Sequence, residues 1–196
     1  MTLAFLCKTI TILFTCKAYG GTEFQLKKNK QLTRLDSIGK EYFVSFEMKV
    51  TKHDTSKEWR NVIHLSTGVD GSRYPAVWLH KDNKLHIAST VSGNTNYVYN
   101  HKDPLKEGEW NHIAIMQIYE NDQVFDSNST KLERLRFKYM YKIKINGKQV
   151  HQTTNTQPKS MENVWVLSGD RWYPSLMGVL GMISFLMESL RKRKNL

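Results

Sequence analysis

Phe137, Tyr139, Tyr141, Ile143 and Ile145 alternate with Lys138, Lys142 and Lys144. A period of two predicts a strand with one dry and one wet face. Asn146-Gly147 follows, the pair a two-residue type I′ turn favours because both positions need positive φ. The turn predicts a hairpin in which Ile145 faces Lys148 and Ile143 faces Val150, so that the apolar face continues across the pair. The same alternation recurs over 41–51, where Val44, Phe46, Met48 and Val50 oppose Ser45, Glu47 and Lys49. Further strands are predicted at 24–27, 60–65, 74–80, 85–91, 97–99, 110–119, 164–167 and 178–186. Polar or glycine-bearing segments join them, notably 52–58, 67–72, 92–95, 101–109, 120–130 and 168–174. The stretch before Gly39 has its apolar residues spaced irregularly and is predicted as a loop after the strand at 24–27. No long stretch holds a period of 3.6, and no internal repeat is evident. Short strands separated by turn signals predict an all-β, two-sheet antiparallel sandwich.

The chain has 196 residues, 40% of them apolar, with five Trp, nine Tyr and eight Phe, enough for one sizeable core. Residues 1–20 read as a secretory signal peptide, with apolar runs at 3–7 and 9–16 and the small residues Ala18 and Gly20 before the cleavage point. Lys8 interrupts that run, and the alternative reading is a buried N-terminal strand. Residues 21–187 then form the domain and 188–196 a basic tail. Cleavage would leave 176 residues with net charge +9 in place of +11, and would remove Cys7 and Cys16, the only cysteines. A secreted chain without cysteine has no disulfide and depends on burial for its stability. The apolar run 176–186, although followed by Arg191-Lys-Arg-Lys194, falls well short of the roughly 20 residues a spanning helix needs. A buried strand is the better reading, and no membrane span is expected.

The order of elements resembles laminin G-like domains of the concanavalin A-like lectin and glucanase superfamily. The residues that carry the likeness are Tyr42-Phe-Val-Ser-Phe-Glu-Met48, Pro75-Ala-Val-Trp-Leu79, Gly108-Glu-Trp-Asn-His-Ile113, Tyr141-Lys-Ile-Lys-Ile-Asn-Gly147 and Val164 through Gly178 to Ile183. They span roughly 40–187 and are core and turn residues. The resemblance therefore implies a two-sheet jelly roll more strongly than any activity. It implies a core that includes Val44, Phe46, Trp78, Trp110, Tyr141 and Ile143, with the tryptophan of the Gly-x-Trp-x-His-Ile motif plugging the sandwich edge. Members of such families are usually extracellular modules that bind glycans, sulfated polysaccharides or matrix proteins, some through calcium. Asp70, Glu120, Asp122, Asp126 and Asp170 fall in predicted loops, and Asp122 and Asp126 are the candidate calcium ligands. Solvated loop carboxylates are the alternative, and no other cofactor is implied.

Hydrolases of this superfamily place an acid pair in a Glu-x-Asp-x-x-Glu strand, because acid and nucleophile must flank the bond. The nearest fragment here is Glu120-Asn-Asp122, and Phe125 stands where the second Glu would be. The expectation is therefore a protein that is not an enzyme. His64, His80, His86, His112 and His151 lie singly in predicted strands and read as structural. Asn128-Ser-Thr130 is the single glycosylation sequon and fits a secreted chain. Arg136, Lys138, Lys142 and Lys144 share the outward face of one strand and form the candidate ligand-binding row, a site for a polyanion or a solvated face. The sequence thus predicts a secreted, non-enzymatic recognition module, lectin-like or matrix-associated, with glycans, glycosaminoglycans or matrix proteins as partners. The alternatives are a structural component of an extracellular matrix or mineralised layer and a degenerate glycoside hydrolase. Nucleic acid is not expected, because interleaved aromatic and basic binding motifs are missing.

Overall fold

The structure, a computed structural model, describes residues 14–19, 23–69, 71–122 and 136–188. Its strands are β1 (Phe14–Tyr19), β2 (Phe24–Gln25), β3 (Gln31–Ile38), β4 (Tyr42–Val50), β5 (Trp59–Ser66), β6 (Ala76–His80) and β7 (Lys84–Val91). They continue with β8 (Asn94–Pro104), β9 (Trp110–Asp122), β10 (Arg136–Ile145), β11 (Lys148–Asn155), β12 (Met161–Leu167) and β13 (Gly178–Glu188). No helix occurs among the described residues. One sheet runs β1-β13-β4-β9-β10-β11, with β2 also on β13; the other runs β3-β12-β5-β6-β7-β8. Every strand pair is antiparallel, as the all-β sandwich expectation required.

One hydrophobic layer lies between the sheets. Val44, Phe46, Met48 and Val50 of β4, Ile113 and Ile115 of β9, Tyr141 and Ile143 of β10, and Leu180, Ile183 and Phe185 of β13 meet Leu35, Ile63, Leu65, Val77, Leu79, Ile87, Val164 and Val166 of the facing sheet. Those of β4 and β10 are the residues whose alternation marks the dry faces. A fully buried Leu or Ile stabilises the fold by about 1.5–3 kcal/mol relative to exposure.

The hairpin forms where expected. Asn146 and Gly147 have φ of 50° and 79°, and Ile145 faces Lys148. Asn146 also ties the turn to β9, since its Oδ1 accepts from the His112 amide at 2.8 Å and its own amide donates to the His112 carbonyl at 2.8 Å. A bulge between Ile143 and Lys144 then shifts the register, so Ile143 faces His151 instead of Val150.

Three expectations need correction. Residues 31–38 form a strand, β3, and not a loop: Leu32, Leu35 and Ile38 are all buried at a spacing of three. An irregular register opposite β12 accommodates that spacing, which breaks the period of two. Trp110 is not a core residue. It is 40% exposed on the outer side of its sheet, with Lys49 Nζ 4.6 Å from its ring centroid. Trp78 is buried, yet it belongs to a separate apolar cluster with Ala76 and Ala88. Val77, Leu79 and Ile87 from the same strands belong to the main core, so alternation places the Trp78 cluster on the outer face of the second sheet.

Residues 14–19 pair with β13, from Phe14 opposite Glu188 to Tyr19 opposite Ile183. That pairing uses residues on the amino side of the expected cleavage point after Gly20. Asp70, Asp126 and the Asn128 sequon lie outside the described residues, as do 189–196.

Candidate functional site

The basic row is assembled as the alternation predicts. Lys138, Lys142 and Lys144 share one face of β10, with Tyr141 and Ile143 buried on the other. Arg136 opens the same strand, but its side chain is outside the described set. The row is not made of cations alone. Lys142 Nζ lies 2.5 Å from Glu120 Oε1, and Lys138 is cross-strand from the same Glu120. Asp122 ends β9, and its side chain is likewise not described. Among the described residues no group of three His, Cys, Asp or Glu side chains is placed to hold a metal ion.

A different surface carries the concave chemistry. On the outer face of the second sheet, Asn61, Trp78, His86 and Asn100 are cross-strand neighbours over β5 to β8, and Trp59 faces His80 beside them. Trp59 stands between two histidines, its ring 4.7 Å from His80 and 4.7 Å from His86. His86 Nδ1 is 2.7 Å from Asn100 Oδ1, and burial pushes the His86 pKa down, which favours the neutral ring.

The loop after β12 closes one side of this face. Asp170 is fully buried and holds that loop. Its Oδ1 accepts from the backbone amides of Trp172 at 3.0 Å and Tyr173 at 2.7 Å. Its own amide donates to Asn61 Oδ1 at 3.0 Å. Asn61 in turn takes the loop backbone alongside β5: its amide donates to the Pro174 carbonyl at 2.8 Å, and its carbonyl accepts from Leu176 at 3.0 Å. His64 completes the anchor, with Nε2 donating to the Ser72 carbonyl at 2.8 Å and Nδ1 facing Asp170 Oδ2 at 3.3 Å. Asp170, which the sequence offered as a loop carboxylate for calcium, is therefore consumed in positioning two aromatic side chains.

The result is a pocket of about 210 Å³ lined by Trp59, Arg73, Trp78, His86, Asn96 and Tyr173. Arg73 lies over Trp78, 5.7 Å from the ring centroid, and Tyr173 meets Trp78 edge-on at 6.0 Å. Two buried donors, Trp78 Nε1 and Arg73 Nε, make no hydrogen bond within the protein. A second pocket of about 250 Å³ lies beside it, lined by Trp165, Leu167, Arg171 and Trp172 with Gln31 and Ser66. A third, on the far side of Trp59, includes His80, Asp82, Lys84 and His101. Apolar ring walls with a few convergent polar groups can hold an amphipathic ligand, one with an apolar face and polar edges.

The sequence reading placed ligand contacts on the basic row or on loops at the rim and did not single out this face. The available signal was the even spacing of Trp78, His80 and His86, with Trp59 at the start of the preceding strand and Trp172-Tyr173 in a turn-rich loop.

No protein-family model matches the chain, and no curated protein matches it. Solved structures do match. The K499G mutant of NanB sialidase from Streptococcus pneumoniae aligns with 90% of this chain and 27% of its own at 12% identity and a TM-score of 0.52. Trypanosoma rangeli sialidase with 2,3-difluorosialic acid aligns with 77% of this chain and 21% of its own at 6% identity and 0.51. A heptameric SAP-like pentraxin from Limulus polyphemus aligns over 85% and 73% at 12% identity and 0.49. The chain thus spans about a quarter or less of the two sialidase structures. The likeness is one of fold alone, the two-sheet antiparallel jelly-roll sandwich that the sequence resemblance implied.

Proposed function

We propose that the chain is a non-enzymatic carbohydrate-recognition module acting outside the cell, and that its ligand lies on the outer face of the second sheet. One observation carries this reading: Trp59, Trp78 and Tyr173 wall a single open pocket into which Arg73, His86 and Asn96 also converge. A sugar ring has an apolar C–H face and a polar rim, so aromatic walls with a few hydrogen-bonding groups suit it. The lining of this pocket has no carboxylate to act as acid or nucleophile, which favours binding over hydrolysis. The basic row on the opposite sheet is the weaker candidate, because Glu120 already neutralises part of it.

The test is a glycan array probed with wild type and Trp59→Ala, followed by titration of any hit. Trp59 is half-buried and borders two of the pockets, so its loss should leave the fold intact and weaken binding by about tenfold or more. Equal binding by both proteins would overturn the assignment of this face. The compartment is tested by the intact mass of protein made in a eukaryotic secretory host. Export with a start near Gly21 and a glycan on Asn128 supports an extracellular role; an intracellular chain that retains Met1 overturns it. A processed chain would also lack the β1 pairing on β13.

A further inference from the structure

We infer that the ligand is an acidic polysaccharide, a sugar chain bearing carboxylate or sulfate groups at intervals, that runs from the Trp78 pocket to the Trp172 pocket. The inference rests on the reading of this face as a carbohydrate site and names the ligand class.

Both pockets repeat one arrangement. In the first, Arg73 lies over Trp78 at 5.7 Å; in the second, Arg171 lies over Trp172 at 4.6 Å. A third pair, Arg34 over Trp165 at 5.1 Å, borders the second pocket through Trp165. Arg73 gives one N–H to the Gly71 carbonyl at 3.1 Å and Arg34 one to Asn163 Oδ1 at 2.9 Å, which leaves each guanidinium further donors for a carboxylate or sulfate, while the exposed rings of Trp172 and Tyr173 offer a surface to the sugar. Among the described residues none of these three arginines is paired with a carboxylate, and neither pocket is lined by one. Burial of Arg73 Nε and Trp78 Nε1 without a protein acceptor adds two donors at the first pocket that an anionic or hydroxyl oxygen would satisfy.

The two pockets are also physically continuous. Trp172 and Tyr173 are consecutive, and each lines one of them. The His64 ring lies between them, 5.5 Å from Trp78 and 5.7 Å from Trp172. A chain that leaves the first pocket past Tyr173 therefore meets the second at Trp172. The third pocket differs in kind. Its Asp82 accepts from Lys84 at 3.0 Å and lies 2.7 Å from His80 Nδ1, so it offers no unopposed positive charge.

The experiment is calorimetric titration of the full chain with galacturonic acid, its octamer, dextran sulfate and neutral dextran. Wild type should bind the octamer and dextran sulfate, with dextran about tenfold weaker or more. Arg73→Gln and Arg171→Gln should each weaken the octamer about tenfold, because it needs both pockets, whereas the monomer, which either pocket can hold, should lose much less to either change. The triple variant Lys138→Ala, Lys142→Ala, Lys144→Ala should match wild type within about twofold. If dextran binds as tightly as the octamer, or Arg171→Gln leaves the octamer unaffected, the acidic-chain inference is overturned while the carbohydrate site stands. If only the triple lysine variant loses binding, the face itself is wrong and both readings fall. Circular dichroism of each variant separates lost binding from lost fold.

Discussion

His64 and Asp170 show how much one buried pair can organise. The Ser72 carbonyl can only accept, so Nε2 of His64 donates to it, and Nδ1 faces the Asp170 carboxylate at 3.3 Å. Asp170→Ala would strand His64 and the amides of Trp172 and Tyr173, at a cost of roughly 3–5 kcal/mol. Asp170→Asn keeps an oxygen for the amides and an N–H for His64, so most of that stability should survive. Chemical denaturation of both variants measures the difference, and equal losses would contradict the hydrogen-bond account.

Two buried tyrosines set the alkaline limit. Burial pushes the Tyr42 hydroxyl up to about 12, with a bond to Ser89 at 3.4 Å opposing it, and raises Tyr141 well above its usual value of 10.0. A raised pKa in the folded state means that stability is fully present below about pH 10 and is lost as pH climbs toward 12. Tyr42→Phe should therefore flatten the stability curve between those values in urea melts. At the acid end the sign is reversed. Burial depresses the pKa of His86 and His151 below 6.5, so the stability they contribute is present above that value and is lost as pH falls.

At the scale of elements, the loop from Ser168 to Leu176 is the part on which both main pockets depend. Its Gly169 sits where a side chain cannot. A Cβ there would come within 2.3 Å of Ser175 Oγ and 2.7 Å of the Lys27 carbonyl. Gly169 also accepts from the Asn29 amide at 2.9 Å, which fixes the loop against the turn before β3. Gly169→Ala should displace the loop, cost about 1–3 kcal/mol, and weaken binding at the second pocket, which Asn29 helps line. Thermal melts and octamer titration read the two effects. An unchanged octamer affinity would show that the loop carries no part of the site.

Strands with one dry and one wet face were legible in the sequence. β4 and β10 follow simple alternation, and the Asn146-Gly147 turn has its own chemistry. β3 was hidden because its buried residues recur every three positions. The site was hidden for a related reason. From Arg60 to Ser66 every residue of β5 is buried, because one face meets the core and the other meets Asp170 and its loop. With both faces covered there is no alternation to read, and Trp78 looked like an ordinary core residue. Trp110 misled in the opposite sense: the resemblance implied burial, whereas the ring is exposed with the Lys49 ammonium over it.

The whole molecule joins distant parts of the chain. β4, at residues 42–50, lies between β9 and β13, and β13 is the last strand among the described residues. β3 likewise pairs with β12. A chain ending at Met177 would lose Leu180, Ile183 and Phe185 from the core and expose a full edge of β4. It should show no cooperative unfolding transition by calorimetry, whereas one sharp transition would mean that the core is complete without β13.

The same pairing bears on time. A strand near residue 45 must wait for one near residue 183 before its sheet can close, so the loop that forms the contact encloses most of the domain. Loop closure of that length comes before any stabilising contact repays it, and sandwiches dominated by such pairs fold in milliseconds to seconds, not microseconds. On a ribosome the delay is longer still. At about 5–20 residues per second, β4 stays without its β13 neighbour for several seconds while the rest is made. During that interval β4 presents an unpaired edge on its β13 side, a template for wrong pairing that closes only once residues 178–188 have emerged.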